Sequence, residues 1–403
     1  MLRPATSAPH LATLVLLTAT SLLSVNMFIP SLANIAAEFE VSYALASVSV
    51  SGFLAVTAVL QLVLGPLADR FGRRPVLLIC FSLYALSSVC AAMAGSIWVF
   101  LAARVIQSGV IAGSALSSAV ISDTTERSKV ASLMAYVSMA IAVAPMLAPM
   151  VGGVLDEFFG WRSVFWVYAL MGFAVLWLIW SDLGETNPAP ADTFMQQLRA
   201  YSQLFRSRRF WGYSSCAAFG VGVFYLFISA TPLVAAEVFH LSPSIVGIGI
   251  GSITLGFFCG SFFSARFSHR QGLLWMVIAG RIIAVSGVFL ALIVMLLWEP
   301  HPAIYFSGGI SAGVGNGLTV PNARAGALAI RPHLAGSASG LTGAMIVAGG
   351  AMLTPLPGLF ITSQNGAWVA LLLMLGAAMG GLLAALYVWD VDRREIRDRA
   401  KVV

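Results

Sequence analysis

The chain has 403 residues, of which 59% are hydrophobic and only 9% charged, with a mean hydropathy of +0.91. Soluble domains carry roughly 25% charged residues, so a water-facing surface of this size is excluded and most of it must meet lipid. The formal charge of +6 is accounted for by loop arginines and gives no reason to invoke nucleic acid.

A helix needs about 20 mostly apolar residues to cross the hydrocarbon core with its backbone satisfied internally. Stretches of that kind run over 11–30, 43–67, 75–95, 97–121, 131–155 and 162–181. They resume, after a polar interval, over 210–236, 244–267, 273–297, 303–327, 336–361 and 366–389. The sequence therefore predicts an all-α membrane protein, twelve transmembrane helices in two pseudo-symmetric six-helix bundles around a substrate cavity. Residues 1–181 form the first bundle, 182–209 a cytoplasmic linker, and 210–403 the second bundle with a basic tail. The first stretch passes Asn26 and Pro30 without a cleavage pattern and reads as a retained helix.

Basic residues set the orientation. Loops on the side of the termini hold Arg70, Arg73, Arg74, Arg127, Lys129, Arg206, Arg208, Arg209, Arg266 and Arg270, whereas the opposite loops hold only Arg162 beside several acids. Both termini are expected in the cytoplasm. The four cysteines fall inside spans without metal-ligand spacing, so no metal or cofactor is expected.

The halves read as distant copies. Arg70-Phe71 recurs as Arg266-Phe267, Gly113 as Gly317, and Ala148-Pro149 as Thr354-Pro355, in shared order. Parallel six-span repeats place a substrate site near the midplane and alternate its access by rocking.

Between spans two and three the chain reads Gly65-Pro66-Leu67-Ala68-Asp69-Arg70-Phe71-Gly72-Arg73-Arg74. Gly65 permits close helix approach, and Gly72 suits a turn open to glycine. Asp69, at a helix C-terminus that disfavours an anion, needs cationic partners. Span four carries Arg104 about seven residues in, with Gln107 one turn on. An intramembrane ionisable residue is costly and faces a cavity or a partner. Arg104 reads as the lone mid-depth guanidinium, lining the cavity, with a backbone-satisfied clamp as the other reading. Span five reads Ala144-Pro145-Met146-Leu147-Ala148-Pro149-Met150-Val151-Gly152-Gly153. Its prolines each remove a helix hydrogen bond and its glycines remove bulk, giving a bent helix open to close approach.

These tracts resemble the major facilitator superfamily, whose loop signature is G-x-L-a-D-r-x-G-r-r. Span five resembles the motif of twelve-span drug:proton antiporters, in the form typical of the Bcr/CflA-type multidrug efflux branch, which includes phenicol exporters. Gln61, Asp123 and Leu183-Gly184-Glu185-Thr186 resemble that branch too. The resemblance implies a multi-pass transporter of the bacterial inner membrane, working as a monomer on a small-molecule substrate by alternating access, with proton antiport; it implies no enzyme.

One departure matters. Where the branch has an Asp in span one, this chain reads Ser24-Val25-Asn26-Met27-Phe28-Ile29-Pro30, and an amide cannot carry a proton. The 16 acidic residues fall in loops, tails or span ends. Three readings follow: coupling through a carboxylate nearer a face, such as Glu38, Asp69 or Asp123; facilitation or exchange without protons; or an introduced Asp-to-Asn change. A cavity with Arg104 and no acid disfavours cationic drugs and suits neutral amphipathic or anionic compounds. Polar handles are expected from Asn26, Gln61, Gln107, Asn316 and Asn322, and aromatic walls from Tyr136, Phe224 and Tyr225, with Phe227 beside them. The functional expectation is drug export, the alternative a proton-independent carrier of a small neutral or anionic metabolite.

Overall fold

The computed structural model describes residues 9–124, 144–145, 147–186, 202–330, 335–362 and 365–402. Among them, ten helices are long and apolar enough to cross a membrane. The chain divides into two units, Met1–Phe194 with Ser242–Gly251, and Met195–Leu241 with Ser252–Val403.

In the first unit, span one is broken: α1 (Leu11–Asn26) is followed by a 3-10 turn over Ile29–Ser31 and a short α2 (Leu32–Glu38). Pro30 has no N–H to offer the Asn26 carbonyl, so the helix cannot run straight through. Span two is α3 (Tyr43–Phe71), started by the Ser42 hydroxyl, which accepts from the Leu45 N–H. Span three is α4 (Arg73–Ala92). Span four is also interrupted, as α5 (Ile97–Gln107), a 3-10 turn at Ser108–Val110 and α6 (Ile111–Thr124). In span five, residues 144–145 and 147–159 are described and helical, the latter as α7, and span six is α8 (Arg162–Ser181). On α8, Trp166, Leu170, Phe173, Trp177 and Trp180 are exposed at helical spacing, a stripe for lipid, while Phe165, Tyr168 and Gly172 face inward.

The second unit is entered through α9, a single turn at 202–205. It contains α10 (Arg208–Val234), most of α11 (Pro243–Gln271), α12 (Leu273–Leu297), α13 (Pro302–Ala329), α14 (Ala335–Leu353), α15 (Leu356–Phe360) and α16 (Gly366–Val402). α12 and α13 pack with glycine against glycine: a Cβ on Gly280 would meet the Gly315 carbonyl at 2.5 Å. Close backbone approach of this kind is how apolar helices associate when lipid provides no hydrophobic drive.

The repeat register is corrected here. α3 and α11 are each 29 residues long, start at Tyr43 and Pro243, and end on glycines of positive φ, Gly72 at 94° and Gly272 at 86°. The equivalent of Arg70 is therefore Arg270, four residues beyond the Arg266 match suggested by the repeated Arg-Phe pair. The turn geometry fixes the alignment and the side chains do not.

Candidate substrate site

Asn26 closes α1 at the break in span one and is 4% exposed. Its Nδ2 donates back to the Leu22 carbonyl at 2.9 Å, and its Oδ1 is buried without a hydrogen-bond donor among the described residues. A buried carbonyl with no donor is costly, so this oxygen is an acceptor waiting for a partner. The break in span four lies against the same helix, because the Ser21 hydroxyl donates to the Val110 carbonyl at 2.6 Å.

Arg104 and Gln107 are fully enclosed. The guanidinium donates to Gln107 Oε1 at 2.6 Å, to the Ser24 carbonyl at 3.2 Å and to the Ser49 carbonyl at 3.3 Å. It lies 4.1 Å from the centroid of the Phe28 ring and 4.6 Å from that of Phe53. Gln107 passes the chain on, its Nε2 donating to Ser88 Oγ at 2.8 Å, and Ser88 donates to the Tyr84 carbonyl at 2.7 Å. Carbonyl dipoles and aromatic faces thus offset the several kcal/mol that a lone buried cation costs. The cage joins spans one, two, three and four. In this conformation Arg104 meets neither lipid nor an open recess.

At the end of the unit that holds the loop signature, the signature pieces converge. Gly72 turns with φ of 94°, and a Cβ there would overlap the Glu185 carboxylate. Glu185 accepts the Arg73 N–H at 2.9 Å and the Arg74 N–H at 3.3 Å, capping the start of α4. Arg73 pairs with Asp123 and lies 4.0 Å from Asp69. Arg74 is buried and donates to the Trp180 carbonyl at 2.9 Å. Arg70 extends over the Phe71 ring. Burial pushes the Asp123 carboxyl above its ordinary value, against the lowering by Arg73 and Thr186. Gly65 does not do what its type suggested: a Cβ there would meet nothing within 4 Å, so no helix approaches it closely among the described residues. Gln61, one turn earlier, is half-buried in α3.

Span five fits its motif more closely. A Cβ on Gly152 would overlap the Met27 carbonyl, and one on Gly153 the Pro243 carbonyl; Gly247 meets the Pro149 carbonyl in the same way. Pro145 is half-buried. Tyr136 lies outside the described residues.

In the second unit the reading of Arg104 as the only mid-depth guanidinium is corrected. Arg281, in span nine, is fully enclosed and donates to Thr319 Oγ1 at 3.0 Å and to Asn316 Oδ1. Its room comes from Gly220 and Gly381, whose Cβ positions lie 3.1 Å from its Nη1. Arg324, in span ten, is exposed. Both lie inside apolar runs and were findable by counting charges within spans as well as between them. Asn316 spends both ends of its amide on the fold, since its Nδ2 donates to the Gly220 carbonyl at 2.8 Å. Asn322 Nδ2 donates to Ser264 Oγ and the Leu318 carbonyl. Phe224 and Tyr225 are half-buried with ring centroids 5.5 Å apart, and Gly350 makes room for the Tyr225 ring.

A family model described as Major Facilitator Superfamily matches residues 14–355. The chain belongs to the major facilitator superfamily. Multidrug resistance protein D of Escherichia coli (strain K12) is 28% identical over 90% of this chain and 92% of its own. The bicyclomycin resistance protein homolog of Haemophilus influenzae is 27% identical, covering 82% of this chain and 84% of its own. Among solved structures, an inward-facing bacterial homologue of the human lysosomal transporter Spinster superposes with a TM-score of 0.78 at 18% identity, covering 96% and 97% of the two chains. The fold is that of a twelve-helix major facilitator transporter. Within this family framework, the first bundle supplies a broken span one with a buried, unfilled acceptor at Asn26, an arginine caged against the Ser24 carbonyl of the same helix, and a capped loop at the opposite end of α3.

Proposed function

We propose that this major facilitator is a secondary active exporter of small amphipathic compounds in a bacterial inner membrane. Its termini are cytoplasmic, its two bundles (1–181 and 210–403, joined by 182–209) alternate access, and it acts as a monomer coupled to protons. The observation that supports this best is the unfilled Asn26 Oδ1 at the span-one break, in a chain related to drug-resistance exporters over most of its length.

The site's chemistry selects the substrate class. A half-buried amphipath with a hydroxyl or amide N–H satisfies the Asn26 oxygen, and its apolar body takes the place of water. A cation lacks a carboxylate to meet at position 26 and gains nothing from the nearby Arg104, so neutral compounds of the phenicol kind fit best. Arg104, held by three acceptors, fixes the positions of spans one, two and four around that oxygen. The loop latch of Glu185, Arg73 and Asp123 holds the cytoplasmic end of the same bundle, so movement there reaches span one as a rigid body.

The test is resistance. Expression in a bacterial strain stripped of its own exporters is expected to raise the inhibitory concentration of chloramphenicol several-fold, and Asn26→Leu to remove that gain at equal protein level. Unchanged susceptibility with the protein present in the membrane would overturn the assignment. The proton-independent alternative has one observation in its favour, the amide at position 26; persistence of the resistance after collapse of the proton gradient would select it.

A further inference from the structure

Among its described residues, the first unit holds one buried carboxylate that neither the Arg104 cage nor the loop latch uses. Asp156 lies on α7, four residues past Gly152, and is only 5% exposed. Its Oδ2 accepts from Asn34 Nδ2 at 2.8 Å, and the Ser31 hydroxyl faces it. Both neighbours belong to the outer piece of span one, beyond the Pro30 break. One turn back along α7, Gly152 is pressed against the Met27 carbonyl, the residue after Asn26. Span five thus grips span one at two levels, by backbone contact beside Asn26 and by a carboxylate–amide contact further out.

The charges around this contact leave the carboxylate alone. Glu157, next on α7, repels it and is itself bonded to the Ser244 N–H at the start of α11. Glu38, one turn along α2 from Asn34, is taken by Arg162 and Trp161. Arg162, at the start of α8, is divided between Glu38 and the Ala94 carbonyl. No cation faces Asp156 among the described residues. A carboxylate shut away from water and beside a like charge, with only a hydroxyl and an amide to steady its negative form, is poised to take up a proton.

We propose that Asp156 is a proton-binding residue of the transport reaction, accepting from the outer side the proton that Asn26 cannot hold and resetting the contact between span five and span one as it does so. Protonated, the carboxyl keeps one accepting oxygen and turns the other into a donor, so the Ser31 hydroxyl and the Asn34 amide, which both give to it when it is charged, are no longer both held as before. The hold of α7 on the outer piece of span one is thereby loosened, and the Pro30 break joins that piece to Asn26 through Phe28 and Met27. No covalent change is involved; the proton comes from water at that face and returns to water when the carboxylate recovers Asn34. The second arm of the test below rests on the export reading, the first does not.

The experiment uses purified full-length protein in two arms. Infrared difference spectra between acid and alkaline buffer are expected to show the C=O band of a buried carboxylic acid in the natural chain, to lack it in Asp156→Asn, and to keep it, displaced, in Asp156→Glu. In proteoliposomes with equal pH on both sides, chloramphenicol counterflow is expected to vary with pH in the natural chain and in Asp156→Glu, and to be flat in Asp156→Asn. Asn34→Leu, which keeps the carboxyl and removes its donor, is expected to move the midpoint of both signals to higher pH, and it replaces Asp156→Asn if that variant does not fold. An unchanged band in Asp156→Asn, or an unmoved midpoint in Asn34→Leu, overturns the proposal. Absence of chloramphenicol exchange in every protein would count against the substrate reading instead, and the infrared arm would then decide Asp156 by itself.

Discussion

Arg104 donates to the side-chain carbonyl of Gln107 at 2.6 Å, one helical turn further along the same span, and the pair is fully enclosed. Gln107 spends its other end on Ser88, so the amide converts a buried charge on span four into a neutral bond to span three. Removing it by Gln107→Leu leaves one guanidinium N–H without its acceptor and takes from Ser88 Oγ the donor it accepts from, while Ser88 keeps its bond to the Tyr84 carbonyl. The expected loss is about 1–3 kcal/mol, read as a lower melting temperature in detergent together with loss of transport. Arg104→Lys is expected to fail similarly, because an ammonium cannot span three acceptors set in a fork. Arg104→Ala is expected to cost stability as well as transport, as the clamp reading of this residue requires.

Gly72 and Glu185 form the second testable pair. Alanine at position 72 meets both a positive φ and the Glu185 carboxylate, so Gly72→Ala is expected to destabilise the protein by about 1–2 kcal/mol and to displace Glu185 from the start of α4. Glu185→Gln keeps the shape and removes the charge that favours a helix N-terminus. Its loss of stability is expected to be the smaller of the two. Thermal unfolding of the two variants side by side checks the order.

Asp123 gives a pH signature. Burial holds its carboxyl above the ordinary 3.8, so between that value and the raised one the native state binds more proton than the unfolded state. Stability from this group is therefore full below the ordinary value and declines as pH rises through the raised one. Melting curves across that window are expected to fall more steeply for the natural chain than for Asp123→Asn. Parallel curves would show that Arg73 masks the group completely.

Gly152 sits where a methyl group would overlap the Met27 carbonyl, so Gly152→Val is expected to separate span five from span one. Full-length protein should still insert, since the apolar run is unchanged, but chloramphenicol transport should fall to background. Normal transport by this variant would mean that the close approach has no part in the cycle.

Much of this architecture was legible because a hydrocarbon solvent imposes one length and one polarity on every span. The turn at Gly72 was legible in its glycine, whereas span one was read as one helix running on through Pro30 and is in fact broken there. Polar residues were harder. Asn316 had to be satisfied by something, and nothing in the sequence says whether a substrate or Arg281 satisfies it; the structure gives it to Arg281 and the Gly220 carbonyl. Arg281 was overlooked because basic residues were sought between spans, where they set orientation, and not within them. Gly65 was read as a close helix contact, and none of the described residues comes within 4 Å of the place where its Cβ would be. Asp156 was read as a loop acid, since only packing shows that it is buried.

Export through the Asn26 site is tested most directly in inside-out membrane vesicles, by following accumulation of labelled chloramphenicol with the natural chain and with Asn26→Leu, Asn26→Gln and Asn26→Asp. An energised vesicle holding the natural chain should concentrate the compound, Asn26→Leu should not, and the two variants that keep a side-chain acceptor should retain part or all of the activity. Equal accumulation by the leucine variant, or none by the natural chain, would contradict a substrate held at that oxygen.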